Sequence, residues 1–260
     1  MTSLTIPKIF QIGFNLTDSL SLHNYLLCNG IKSIFGDSGK LAISMVNNSL
    51  AGADVFYNYE GYDAFFDMEA IDETGSFIYA YQYCLDKIIA QYPAALYIFN
   101  TQNVDNWIQR RSELYGYLPS ASKFLKCSEL EVKEKWKKDF EDHTVNVLKK
   151  FKGCDNFLIH NIDTDGIENI NNFFNRHSIN LDPTLYKPYN ETRGSTDLSY
   201  HIKNIREAAL FFKYHKDDLN TAIQLLELAQ QHRPCSSFFK NELFAWTEIK
   251  NNHQNNDHAK

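Results

Sequence analysis

The stretch Lys8–Leu27, KIFQIGFNLTDSLSLHNYLL, holds the residues best placed to do chemistry. An apolar run, Ile9–Phe14, leads through the polar turn Asn15-Leu16-Thr17-Asp18-Ser19 into a segment with Leu20, Leu22, Leu26 and Leu27 at helical spacing. Strand, tight turn and helix bring backbone N–H groups and a helix N-terminus to one point, which is a ready site for an anion. Asn15, Thr17, Ser19 and Ser21 add short hydrogen-bonding side chains to that turn and to the helix it opens. Glu69 closes a strand candidate, Asp63–Glu69, where a carboxylate could take the proton from a hydroxyl. Its plainer use is a solvated strand-end acid. His23 on the first helix, His143 on a long helix and His160 within a strand fit packing or capping roles. No spacing suits a metal, and there is no G-x-S-x-G nucleophile turn. After Gly13, Asp18-Ser19 stands where a Walker loop needs Gly-Lys.

These residues need a scaffold, and the pattern supplies alternating strands and helices. Strand candidates are Ile9–Phe14, Ile31–Phe35, Asp63–Glu69, Ala95–Phe99 and Asn156–Ile162. Ala95–Phe99 is continuously apolar, as in a parallel strand covered on both faces. Helical periodicity marks Lys40–Leu50, Phe77–Tyr92, Asn103–Tyr117, a charged helix from Ser128 to about Lys152, and Ile167–Asn175. Pro119–Lys126 reads as a loop. The class is therefore α/β, with a mostly parallel central sheet flanked by helices. Residues 1–177 form this domain. Residues 178–197, with two prolines and a glycine, read as a loop. Helices at Leu198–Tyr214, Leu219–His232 and Ser237–Lys250 read as a C-terminal helical extension (198–250) packed on the domain, and 251–260 as a frayed polar tail.

Composition limits the rest. The chain has 260 residues, is 43% hydrophobic and carries a net charge of −6, so it builds a sizeable core but no basic field for nucleic acid. No apolar run reaches the roughly 18–20 residues of a membrane span. The start lacks a secretory signal pattern. Five dispersed cysteines read as reduced thiols, and a cytoplasmic location follows as the expectation, with signal-free export also compatible.

Three segments together resemble the sulfotransferase family, P-loop-like enzymes that use 3′-phosphoadenosine 5′-phosphosulfate (PAPS). They are Lys8–His23, the run YPAALYIFNTQNVDNW from Tyr92 to Trp107, and Trp136–Asp163, with Asp67-Met68-Glu69 matching an acidic element of bacterial members. The resemblance covers about residues 8–175. It implies sulfuryl transfer from PAPS to a hydroxyl or amine acceptor. Asn15, Thr17, Ser19, Ser21 and the turn amides would hold the donor's 5′ end, and Glu69 would be the base. Arg110 or Arg193 would replace the usual 3′-phosphate contacts. The pattern also departs from the family. Leu16 stands at the loop cation, Asp18 at the loop glycine, and Gln102 and Arg110 at the 3′-phosphate Arg and Ser positions. The alternative is a non-catalytic sulfotransferase-fold module that binds a protein partner or ligand.

Overall fold

The computed structural model describes residues 6–71, 77–114, 117–188, 205–206, 208–214, 216, 218–232 and 237–257. The chain divides into two compact units, Met1–Pro188 and Tyr189–Lys260. In chain order the first unit runs β1 (Ile9–Gln11), α1 (Ser19–Cys28), β2 (Ser33–Phe35), α2 (Lys40–Leu50), β3 (Ala64–Phe66), β4 (Glu69–Ile71) and β5 (Phe77–Tyr79). It continues through α3 (Ala80–Tyr83), α4 (Leu85–Gln91), β6 (Leu96–Thr101), α5 (Val104–Glu113), α6 (Tyr117–Leu125), α7 (Glu129–Lys150), β7 (Phe157–Asn161) and α8 (Ile167–Arg176). The second unit contains helical residues 205–206 and 208–214, α9 (Leu219–His232) and α10 (Ser237–Asp257). Its own core joins Ala209, Ala222, Leu226 and Ala229 to Phe239 and Trp246.

The central sheet of the first unit has the order β2-β3-β1-β6-β7, and every neighbouring pair is parallel. Successive side chains on a strand point to opposite faces. Phe10, Phe65, Tyr97 and Phe99 therefore enter one core with Trp107, Trp136 and Phe140. Ile9, Phe66, Leu96, Ile98 and Leu158 enter a second core with Leu22, Leu26, Ile170 and Phe173. From β1 the chain steps outward to β2, returns through β3, then crosses β1 to reach β6 and β7. Adjacent β1 and β6 thus send their following segments to opposite sides. Such a switch point is where open α/β sheets form a ligand crevice, outside the carboxyl ends of the strands.

Several boundaries differ from the sequence reading. Phe77–Tyr79 forms a strand paired antiparallel with β4, because its aromatic and β-branched residues suit a ribbon. The helix expected over Phe77–Tyr92 becomes two short helices separated at Cys84. Pro119–Lys126 is mostly α6; Pro119 lies in the first turn, where a missing N–H costs nothing. The tail stays helical to Asp257, since 251–257 contains neither glycine nor proline to stop it. Residues 178–188 belong to the first unit and carry a short 3-10 turn, Pro183–Leu185. Cys28 is disulfide-bonded, contrary to the expectation of reduced thiols throughout, whereas Cys84, Cys127 and Cys154 are free. Among the described residues no helix is long and apolar enough to cross a membrane.

Candidate functional site

The loop from Gly13 to Asp18 joins β1 to α1 at the switch point. Gly13 is required there, since a Cβ would stand 2.1 Å from the Asn100 carbonyl oxygen of β6. Leu16 and Asp18 both adopt left-handed backbone, at φ 61° and 66°. For a residue other than glycine that conformation costs roughly 1–2 kcal/mol, so the surroundings must hold it. They do so through the carbonyls, every one of which from Ile12 to Asp18 is occupied. His143 Nε2 lies 2.7 Å from Ile12 O. Gln11 donates to Gly13 O and Thr17 Oγ1 to Phe14 O. Trp107 Nε1 donates to Asn15 O at 3.0 Å, Gln102 Nε2 to Leu16 O at 2.8 Å and Asn100 Nδ2 to Thr17 O at 2.6 Å. The Leu22 amide takes Asp18 O at 3.2 Å.

Behind the loop lies a buried charge hub. Trp107 and Arg111 are four residues apart on α5, so both face inward, and Arg111 is fully buried. Its guanidinium donates to Asn15 Oδ1 at 2.7 Å, Tyr117 Oη at 3.0 Å and Tyr79 Oη at 3.1 Å. It lies 3.4 Å from Glu69 Oε2 and sits over the Trp107 and Trp136 rings, 4.8 and 5.1 Å from their centroids. Glu69 Oε1 accepts from the Asn15 amide at 2.7 Å and from Tyr81 Oη at 3.0 Å. Burial works against the arginine's charge, but Tyr79, Tyr117, Glu69 and Tyr81 outweigh it and hold its pKa above the ordinary value. Burial first, then the Glu69 charge, pushes the Tyr81 hydroxyl well up. Asp67, next to this hub, has its carboxyl raised to about 7 by burial and by Glu69, with Arg111 opposing.

Glu69 is therefore not a solvated strand-end acid: its buried carboxylate accepts from Asn15 and Tyr81 and pairs with Arg111. Asn15 is used in the same network. Thr17, Ser19 and Ser21 are buried, with Thr17 turned back onto its own loop. Asp18 occupies the N-cap position of α1 but makes no side-chain cap bond, contrary to what a carboxylate there leads one to expect. It accepts instead from Tyr186 Oη, with the Ser21 hydroxyl also supporting it. Burial raises the Asp18 pKa; Ser21, Tyr186 and the Arg110 charge oppose that rise. Arg110 makes no ion pair with it among the described residues. Arg193 lies outside the described residues. His143 is buried, and its pKa falls to about 4 because burial disfavours the imidazolium. His160 is buried on β7. Among the described residues no group of three His, Cys, Asp or Glu could hold a metal.

Arg111, Tyr81 and Tyr186 were not singled out from the sequence. The spacing of Trp107 and Arg111 on one helix was a usable signal for the first; nothing local marks Tyr186, which lies 168 positions from its partner Asp18. Comparison with known proteins adds no identity. No family model matches the chain, and no curated protein matches it.

Proposed function

We propose that this chain is a sulfotransferase-like α/β protein whose donor loop has become a structural element, and that it acts as a ligand- or partner-binding module rather than as a sulfuryl-transfer enzyme. One observation carries the reading. Asp18 has the left-handed backbone that a loop glycine favours, and it places a partly buried carboxylate, held by Tyr186 and Ser21, at the N-terminus of α1. A phosphosulfate about 4 Å from that carboxylate would meet a repulsion of roughly 4 kcal/mol per unit charge at an effective dielectric near 20. Leu16 contributes no compensating cation, and Gln102 spends its amide on the Leu16 carbonyl. These residues do not fit PAPS, so no transfer step is derived through it.

Titration calorimetry with 3′-phosphoadenosine 5′-phosphate tests the reading. No heat of binding is expected up to millimolar ligand. Micromolar binding that weakens in Arg110→Ala would overturn it and restore the enzyme reading. The paired variant Leu16→Lys with Asp18→Gly should gain measurable affinity if those two positions are what closed the site.

A further inference from the structure

Helix α5 has a face that the charge hub does not use. Trp107 and Arg111 turn inward, while Asp105, Gln109 and Glu113, each four residues from the last, form an exposed row on the other side. The matching row on α7 is Leu130, Lys133 and Lys137, at spacings of three and four. Between the rows lies an open cavity of about 460 Å³, with Ile108 of α5 and Leu118 of α6 as its apolar lining. One end is closed by the ion pair of Lys137 with Asp105, at 3.1 Å. At the other end the charges are not matched within the chain. Among the described residues Glu113 accepts only from the Gln109 amide, at 3.0 Å, and half-buried Lys133 has no ion pair, although both line the cavity. One turn before Lys133, Leu130 is 67% exposed.

We propose that this face is the interface of a twofold homodimer, in which Leu130 of each copy enters the cavity of the other and Glu113 pairs with the second copy's Lys133. The cavity fits a partner that brings an apolar knob and one charge of each sign, and the chain's own face carries all three. In a twofold interface one patch meets itself, so each such contact occurs twice. An acidic row beside a basic row is self-complementary under that operation. A partner of a single charge sign would set like charges against one of the two rows.

The division of labour follows from burial. Leu130 fills the apolar centre and carries most of the affinity, as a desolvated anchor does. The Glu113–Lys133 pairs lie at the rim and fix orientation and partner choice. The hub side of α5 and the β1–α1 loop take no part, so the dimer goes beyond the binding-module reading and does not draw on it.

Sedimentation equilibrium of the full chain at low salt, over a concentration series, tests the dimer. Wild type should associate in the micromolar range. Leu130→Ala should weaken association at least about tenfold, because two leucines per dimer lose their burial. Glu113→Lys and Lys133→Glu should each weaken it at least about tenfold, because each sets like charges opposite one another twice. An equimolar mixture of those two variants should dimerise again, and so should the double variant, because both arrangements restore opposite signs across the axis. Leu130 and Glu113 are exposed, so their variants carry the test if Lys133→Glu does not fold. A wild-type chain that stays monomeric to millimolar concentration overturns the dimer. So does association that Leu130→Ala or either charge reversal leaves intact, or a variant mixture that stays monomeric. No nucleotide is involved, so this result and the calorimetry fail independently.

Discussion

Truncating Arg111 should be the most damaging single change in the first unit. Arg111→Met removes the guanidinium from a fully buried position and leaves Glu69 charged. The Asn15 side chain loses a 2.7 Å donor, and the phenols of Tyr79 and Tyr117 lose theirs as acceptors. Removing one member of a buried ion pair costs about 3–5 kcal/mol, because the surviving charge stays desolvated. For a unit of this size that lowers Tm by roughly 6–20 °C, at about 2–4 °C per kcal/mol. Adding Glu69→Gln removes the orphaned charge while keeping an oxygen for the Asn15 amide and Tyr81. The double variant should therefore recover at least about 2 kcal/mol relative to the sum of the single losses. Urea unfolding in a Trp246→Phe background makes the fluorescence report on Trp107 and Trp136, the two rings stacked on the guanidinium. If the single losses add to within about 0.5 kcal/mol, Arg111 and Glu69 are not coupled, and the hub is packing rather than charge.

Two further outcomes follow from individual groups. The folded Asp67 carboxyl is raised to about 7, above its unfolded value, so its contribution to stability is complete below pH 4 and is lost as pH rises through about 7; Asp67→Asn should flatten Tm between pH 4 and 8, and an unaltered slope refutes the assignment. Ser178, exposed at φ 61°, ends α8 with its own amide on Asn175 O and the Ile179 amide on Phe174 O, each at 3.0 Å. Glycine suits that closing turn, so Ser178→Gly should raise stability by about 0.5–1 kcal/mol in urea titration.

The sheet was readable because its evidence is local. Ala95–Phe99 is an apolar run between breakers, as a parallel strand covered on both faces looks in any context, and Phe157–Ile159 marks the edge strand β7, whose Ile159 is exposed. The β4–β5 ribbon was not readable, because Phe77, Tyr81, Leu85, Ile88 and Ile89 fit helical spacing, and only pairing with Glu69–Ile71 decides the conformation. The site divides in the same way. The turn after β1 and the uncharged Leu16 within it follow from residue types and spacing. What Glu69 does depends on Arg111, 42 positions away, and what Asp18 does depends on Tyr186, so neither role is encoded near the residue that plays it.

That division bears on how the loop holds its shape. A phosphate-binding turn keeps its unfavourable backbone because the ligand rewards the outward N–H groups. Here the reward comes from the opposite side of the peptide planes. His143, Gln11, Thr17, Trp107, Gln102 and Asn100 engage the carbonyls from Ile12 to Thr17, and three of these donors come from β6, α5 and α7, with Gln102 just beyond β6. At about 1 kcal/mol net per hydrogen bond, they offset the roughly 1–2 kcal/mol each that left-handed Leu16 and Asp18 cost. The loop shape is then a property of the folded core and is independent of any ligand. On the proposed reading, Leu16 and Asp18 are tolerated in the loop because folding does not depend on what the N–H groups meet.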